Sequence, residues 1–369
     1  MIERGLLFAG GGTGGHVYMA VAVIQRLREL GSSPEILFVG TRRGIENRIL
    51  PDMDVTVERI TLGGLKRTGL LKAFQTLLQL PAALLRAAGI LRRFRPAAVV
   101  GLGGYSSGPV VLVASWMRIP CLVIEPNVHP GLANRLLAPW VDRVAVAFEE
   151  TAGRFGPKAE LTGIPVRPQF HRDRKRPNAG GPLRVLIFGG SQGSVAINRL
   201  VCEALEELSP ERIRLIHQTG PRDRSRVEER YRELGFFAAV LEYIHDMPDR
   251  LHWADLVICR AGALTLAEVA AAGKASILIP YPHAADDHQR TNAQALVRRG
   301  AALILEEGEG AGPALARMIR DLDRDRLQLG ALAEASGNLG DPRSCDRIIQ
   351  VLAKLVDMER SGPDRNRTP

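Results

Sequence analysis

Gly10, Gly12 and Gly15 satisfy the spacing G-x-G-x-x-G directly after the apolar run Leu6-Leu7-Phe8-Ala9, and His16 closes the loop. Glycines so spaced let the backbone turn tightly and aim free N–H groups at a phosphate or sugar oxygen. A histidine in the first turn of the following helix is held neutral by the positive helix end, as a general base requires; the alternative is a capping histidine. A second loop, Gly189-Gly190-Ser191-Gln192-Gly193, follows Val185-Leu186-Ile187-Phe188. It adds a hydroxyl and an amide beside a helix start, which suits a pyrophosphate or, more simply, tight strand–helix packing. Arg167, just past Gly163-Ile164-Pro165, is a guanidinium either poised for a diphosphate or lying on the surface.

Other chemistries fit less well. A dinucleotide site wants an acid at the end of the second strand, but Phe38-Val39-Gly40 runs into Thr41, Arg42 and Arg43. Asp52-Met53-Asp54 and Asp286-Asp287-His288 look like metal motifs, yet hard cations need more oxygen ligands than two carboxylates. Cys121, Cys202, Cys259 and Cys345 stand far apart with no CxxC pair, which excludes a zinc ribbon or disulfide framework and fits a reducing compartment.

Two series of β-branched apolar runs separated by helical patterns must position these residues, the rhythm of parallel α/β sheets. The first runs from Leu6 through Ile36-Leu37-Phe38-Val39 to Cys121-Leu122-Val123-Ile124. The second opens at Arg184 and ends with Ala301-Ala302-Leu303-Ile304. Both begin strand, glycine loop, helix, about 180 residues apart, so two Rossmann-like domains are expected rather than one long sheet. The expected boundaries are 1–163, 164–342, a helix 343–358 packing back on the first domain, and a disordered tail 359–369. His171 to Gly181 reads as a polar linker.

With 369 residues, 46% hydrophobic and 24% charged, the chain has the composition of an ordinary two-domain globular protein. A four-residue apolar run after Gly5 is too short for a signal peptide. The net charge of +9 asks for an anionic partner. Between Arg59 and Pro96 stand Arg59, Lys66, Arg67, Lys72, Arg86, Arg92, Arg93 and Arg95 without one acid, among leucines. Leu70, Phe74, Leu77 and Leu78 follow helical spacing, and Leu71 and Leu85 widen the stripe, although Pro81 is expected to kink or break the helix. An apolar patch ringed by Lys66, Arg67 and Lys72 suits an anionic leaflet; a core helix with a solvated basic face is the plainer alternative. Nucleic acid is not expected, because stacking aromatics, helix-turn-helix and zinc patterns are missing.

Taken together, GGTGGH at Gly11, GLGGYSSGP at Gly101, EPN and GLANR around Asn127, GIPVR at Gly163, GGSQGS, YIHDM, CRAGALTLAE and DHQRTNA resemble the bacterial MurG family. That resemblance implies a GT-B fold, two Rossmann-like domains facing an interdomain cleft. It implies inverting transfer of N-acetylglucosamine from UDP-N-acetylglucosamine to the C4 hydroxyl of the muramyl sugar of lipid I, giving lipid II. On this resemblance the donor would meet the backbone of Ile244, the segment Ala263, Leu264, Thr265, Leu266, Ala267 and Glu268, with Glu268 on the ribose, then Ser191, Gln192, Arg167 and Gln289. Thr13, Gly14, Gly15 and Asn127 would contact it from the first domain. His16, Tyr105, Glu125, Asn127 and Asn134 belong to the acceptor side or to catalysis, with His16 as the base. Trp116 joins the membrane patch. No cofactor or essential metal is implied, and the location is the cytoplasmic face of the inner membrane, beside other cell-wall synthesis proteins.

Three departures stand out: Tyr18-Met19 where the family commonly has Phe-Pro, Ile124 and Pro126 within its HEQN segment, and Lys274-Ala275-Ser276 where a proline is usual. The first two lie close to the acceptor side, and all three bear on acceptor geometry, with a reduced or altered acceptor preference as the expected consequence. A GT-B-type UDP-sugar epimerase is the alternative, since the nucleotide half would look alike.

Overall fold

A computed structural model describes residues 2, 4–12, 14–42, 44–61, 70–171 and 180–361, with the side chains of 70–77 and 358–361 left out of the description. The chain divides into two compact units, Met1–Arg167 with Arg343–Pro369, and Pro168–Pro342.

In the first unit the strands are β1 (Leu6–Ala9), β2 (Ile36–Gly40), β3 (Thr56–Arg59), β4 (Ala98–Gly101), β5 (Cys121–Glu125), β6 (Arg143–Val146) and β7 (Ala159–Leu161). They form one parallel sheet in the order β3-β2-β1-β4-β5-β6-β7. Between them run α1 (Gly14–Glu29), α2 (Glu46–Ile49), α3 (Leu70–Phe94), α4 (Ser107–Trp116), α5 (Leu132–Leu137) and α6 (Glu149–Phe155). Every residue of β1, β2, β4 and β5 is buried, because helices cover both faces of such a sheet and no alternation survives. Order reverses between β1 and β4, so the loops after them open at the crevice where such sheets bind ligands.

The second unit holds β8 (Leu183–Phe188), β9 (Ile213–Gln218), β10 (Ala238–Leu241), β11 (Leu256–Cys259), β12 (Ala275–Leu278) and β13 (Leu303–Ile304), parallel in the order β10-β9-β8-β11-β12-β13. Its helices are α7 (Val195–Leu205), α8 (Arg224–Glu233), α9 (Met247–Trp253), α10 (Ala263–Ala271), α11 (His288–Val297), α12 (Ala311–Arg324) and α13 (Arg326–Leu339). The switch point lies between β8 and β11.

The final helix, α14 (Ser344–Ser361), returns to the first unit and packs on α1, where Arg26 Nε donates to Asp346 Oδ1 at 2.6 Å. It runs three residues past the expected end at 358, and residues 362–369 of the expected disordered tail lie outside the described residues. The unit boundary falls after Arg167 rather than after Gly163. The physical reason is that Cys345 Sγ of α14 contacts the Val166 carbonyl at 3.6 Å, while Arg167 covers a ring of α1. Of the expected linker, His171 ends a 3-10 turn that starts at Pro168, and residues 172–179 lie outside the described residues.

Pro81 does not break α3, which is one helix from Leu70 to Phe94. Ala83, Ala87, Ile90 and Leu91 hold its core face at helical spacing, and that burial outweighs the one backbone hydrogen bond a proline removes. Among the described residues no helix is long and apolar enough to cross a membrane.

Candidate active site

The loop after β1 leads straight into α1, and His16 is the third residue of that helix. Its Nδ1 lies 3.3 Å from the Gly11 carbonyl oxygen, which can only accept, so Nδ1 carries the proton and Nε2 is the basic nitrogen of the neutral ring. The pKa of His16 lies below the ordinary imidazole value because burial disfavours the cation; the Gly11 carbonyl and the carboxylates Glu125 and Glu46 oppose the shift without overcoming it. Burial, rather than the helix end, is therefore the main cause.

The loop after β4 makes room for this ring. A Cβ on Gly103 would stand 3.4 Å from His16 Nε2 and one on Gly104 3.3 Å from its Cε1, and both residues have positive φ, +89° and +79°. Only glycine meets both demands. The same point above Gly103 is 3.8 Å from the Asn134 amide, so His16 and Asn134 converge there.

Glu125 ends β5 and is 1% exposed. Its Oε1 accepts from the backbone N and Nδ2 of Asn127, each at 3.0 Å, and its Oε2 accepts from Gly131 N at 2.9 Å and Asn134 Nδ2 at 2.8 Å. Four donors thus saturate the carboxylate, which fixes two asparagine side chains. Thr151 Oγ1 donates within this loop, 3.1 Å from the Asn127 carbonyl and 2.9 Å from that of Val128. Tyr105 is 40% exposed at the mouth of the loop after β4. Gly14 and Gly15 form the first turn of α1, with its free amides; Thr13 lies outside the described residues.

Two departures in this unit face inward. Met19, Ile124 and Pro126 are buried, so they pack in the core beside Glu125 and Asn127. Tyr18 instead receives the Arg167 guanidinium over its ring at 4.4 Å, a cation–π contact that orients Arg167.

In the second unit the loop after β8 turns into α7, whose N-cap Ser194 accepts from Ile197 N at 3.4 Å. Ser191 and Gln192 are exposed at its tip. The loop is pinned from behind: Gln218 Nε2 donates to the Gly190 carbonyl at 2.8 Å, and a Cβ on Gly193 would stand 2.0 Å from the Thr219 carbonyl oxygen, so backbone meets backbone. Gly262 caps α10, whose first-turn amides at Ala263, Leu264 and Thr265 have no partner within the helix. The side chains of Ala263, Leu264, Leu266 and Ile244 are buried, so any ligand meets their backbone, whereas Thr265, Ala267 and Glu268 keep partial exposure. Gln289 Oε1 accepts from Tyr281 N at 3.0 Å and Ala261 N at 3.3 Å. With the oxygen so engaged, its amide N–H2 is the end that can donate.

Lys274, the third departure, is 3% exposed, and its Nζ donates to the carbonyls of His252 at 3.1 Å and Ala254 at 2.9 Å, closing the C-terminus of α9. The two metal-like motifs do not gather ligands: among the described residues no three His, Cys, Asp or Glu side chains cluster where they could hold an ion. Asp52 lies inside an exposed 3-10 turn that Asp54 closes; Asp286 and Asp287, both at positive φ, form the tight turn before α11.

The expected membrane patch is seen only in part. Leu78 is 65% exposed and Trp116 55% exposed; Lys66 and Arg67 lie outside the described residues, as do the side chains of Leu70, Leu71, Lys72 and Phe74. Leu85, which widens the stripe in sequence, is 76% exposed; sequence reading missed Met117, Leu136 and Trp140, all exposed, with the Trp140 carbonyl 2.6 Å from Ser115 Oγ next to Trp116. It also missed Glu58, which pairs with Arg93 and, at 4.0 Å, with Arg86, so the basic rim is partly neutralised.

Residues 6–146 match the glycosyltransferase family 28 N-terminal domain and residues 184–348 the family 28 C-terminal domain, which with two parallel α/β units defines a GT-B glycosyltransferase. A UDP-N-acetylglucosamine--N-acetylmuramyl-(pentapeptide) pyrophosphoryl-undecaprenol N-acetylglucosamine transferase of Anaeromyxobacter dehalogenans (strain 2CP-C) is 46% identical over 97% of this chain and 94% of its own. The crystal structure of Acinetobacter baumannii MurG superposes with a TM-score of 0.77 at 30% identity, covering 95% of this chain and 99% of that one. The chain belongs to this MurG family of N-acetylglucosaminyltransferases. A UDP-GlcNAc 2-epimerase from Neisseria meningitidis, at a TM-score of 0.67 and 13% identity over 96% of this chain and 100% of that one, shares the fold alone.

Proposed function

We propose that this chain transfers N-acetylglucosamine from UDP-N-acetylglucosamine to the C4 hydroxyl of the muramyl sugar of lipid I, forming lipid II with inversion at the anomeric carbon. The observation that carries the reading is the end-to-end match to transferases so named, and the geometry supports a mechanism. His16 Nε2 takes the proton from the C4 hydroxyl as its oxygen attacks C1 of the donor sugar. The bond from C1 to the diphosphate oxygen breaks with its electron pair, and UDP departs. Glu125, its four acceptor sites engaged, acts by holding Asn127 and Asn134 and by stabilising the imidazolium as it forms. The amides at the starts of α7 and α10 stabilise the leaving diphosphate, a role that needs no essential metal.

Ile244 backbone and Glu268 serve uridine, and the Gln289 amide donates to hydroxyls of the sugar. The exposed apolar side chains of Leu78, Leu85, Trp116 and Trp140, with the basic residues around them, serve as an anchor to the anionic cytoplasmic leaflet in which lipid I stays. Incubating the protein with UDP-N-acetylglucosamine alone tests the reading against epimerisation. The donor should stay unchanged until a lipid I analogue is added, whereas a second UDP-hexosamine appearing without acceptor would favour the epimerase.

A further inference from the structure

Arg260, the residue after β11, is 9% exposed and joins the loops after β8, β12 and β13 in the second unit. Its Nη2 donates to Ser194 Oγ at 2.8 Å, at the junction of the glycine loop and α7. Its Nη1 donates to the carbonyls of Ile279 at 3.1 Å and Pro280 at 3.2 Å, just past β12, and to the carboxylate of Glu307. The guanidinium also lies 5.3 Å from the ring centre of Tyr281, whose backbone N holds Gln289. Neither Arg260 nor Glu307 is used by the mechanism above.

The pair has a direction. Its cation faces the glycine loop through Ser194, and its anion, 18% exposed, stands on the side of β13. In a site shielded from water such an oriented pair lends positive potential to the loop, and the carboxylate attenuates it. Ser194 supplies the helix cap as well, so Arg260 both orients the loop and charges it.

We infer that Arg260 is a positioning residue for the donor diphosphate, acting through Ser194 and through its own charge, and that Glu307 sets how strongly that charge is felt. The inference rests on the reading of the second glycine loop as the diphosphate cradle. A purely structural ion pair and a charge-tuning pair differ in sign. If the pair only holds the fold, removing either partner weakens all ligands together. If it tunes the potential, removing Glu307 strengthens the hold on a diphosphate and removing Arg260 weakens it, while a ligand without phosphate notices neither.

Calorimetric titration of the full chain with uridine and with UDP reads this directly, alongside melting curves for each variant. Glu307→Gln should bind UDP about threefold more tightly, and Arg260→Gln about tenfold more weakly, with uridine within about twofold in both. Arg260→Lys, which keeps the charge and loses the fork, should fall between the unaltered chain and Arg260→Gln, and it decides the point should Arg260→Gln fail to fold. UDP affinity that drops in Glu307→Gln, or stays unchanged there, overturns the inference and leaves the donor site standing. Failure of the unaltered chain to bind UDP at all removes the donor reading and the inference with it.

Discussion

His16 Nδ1 sits 3.3 Å from the carbonyl oxygen of Gly11, five residues earlier in the same loop. That contact sets the tautomer, and burial sets the protonation state, because both make the neutral ring with a basic Nε2 the resting form. A base must be unprotonated to act, and the pKa of His16 is depressed below its ordinary 6.5. Activity should therefore persist as pH falls below 6.5, with the acidic limb of kcat/KM lying under that value. Glu46→Gln removes a carboxylate that raises the pKa, so it should move the limb to still lower pH. His16→Ala should cost about 10²- to 10⁴-fold in kcat and abolish the limb.

The contact of Arg167 with the Tyr18 ring, 4.4 Å from its centre, gives a second expectation. Tyr18→Ala removes the ring under the guanidinium and should raise KM for UDP-N-acetylglucosamine by about 3- to 30-fold, while Tyr18→Phe keeps the ring face and should stay within about twofold. Initial rates over a donor series distinguish the two.

Much of this was legible in the chain. Two glycine loops after buried apolar runs announced two parallel sheets, since positive φ and close backbone approach leave glycine little competition. The motif residues His16, Glu125, Asn127 and Asn134 do meet within one unit. What escaped was everything that depends on which long side chain reaches across. Lys274 stands in the sequence only as a departure from the family pattern, and its role in closing the end of α9 comes from a reach across some twenty residues. The four donors on the oxygens of Glu125 have no signal in its local sequence, and Arg260 has no local signature because its partners lie 19 to 66 residues away. Pro81 misled in the other direction: a local rule allowed a break, and the buried face of α3 holds one continuous helix.

Membrane docking should be separable from chemistry. Leu85 and Trp116, 76% and 55% exposed, belong to no buried cluster. The double variant Leu85→Gln with Trp116→Ala should reduce co-sedimentation with anionic phosphatidylglycerol vesicles by about tenfold, with kcat on a short-chain, soluble acceptor unchanged. Equal binding of the variant and the unaltered chain would remove the patch from the membrane reading.

Acid stability should carry the mark of His217. This ring is fully buried, accepts from Tyr231 OH at 2.6 Å through Nδ1 and donates to Asn198 Oδ1 at 3.0 Å through Nε2. Asn198 spends its own N–H2 on Thr219 and Asp223, which fixes that tautomer. Desolvation lowers the pKa of His217 from 6.5 to about 3. Between those values the unfolded chain binds a proton that the folded one refuses, so stability falls as pH drops from 6.5 toward 3, by about 1.4 kcal/mol per unit from this group. His217→Gln should be less stable at pH 7, where its two hydrogen bonds are disturbed, and should lose stability less steeply than the unaltered chain between pH 6 and about 4 in urea titrations.

The most direct test of the central claim is the mass of the lipid product formed from UDP-N-acetylglucosamine and a lipid I analogue, with EDTA present throughout. A product heavier by one N-acetylhexosamine, in a β-1,4 linkage and in step with UDP release, is the expected result. No heavier product, even after magnesium or manganese is restored, would contradict it.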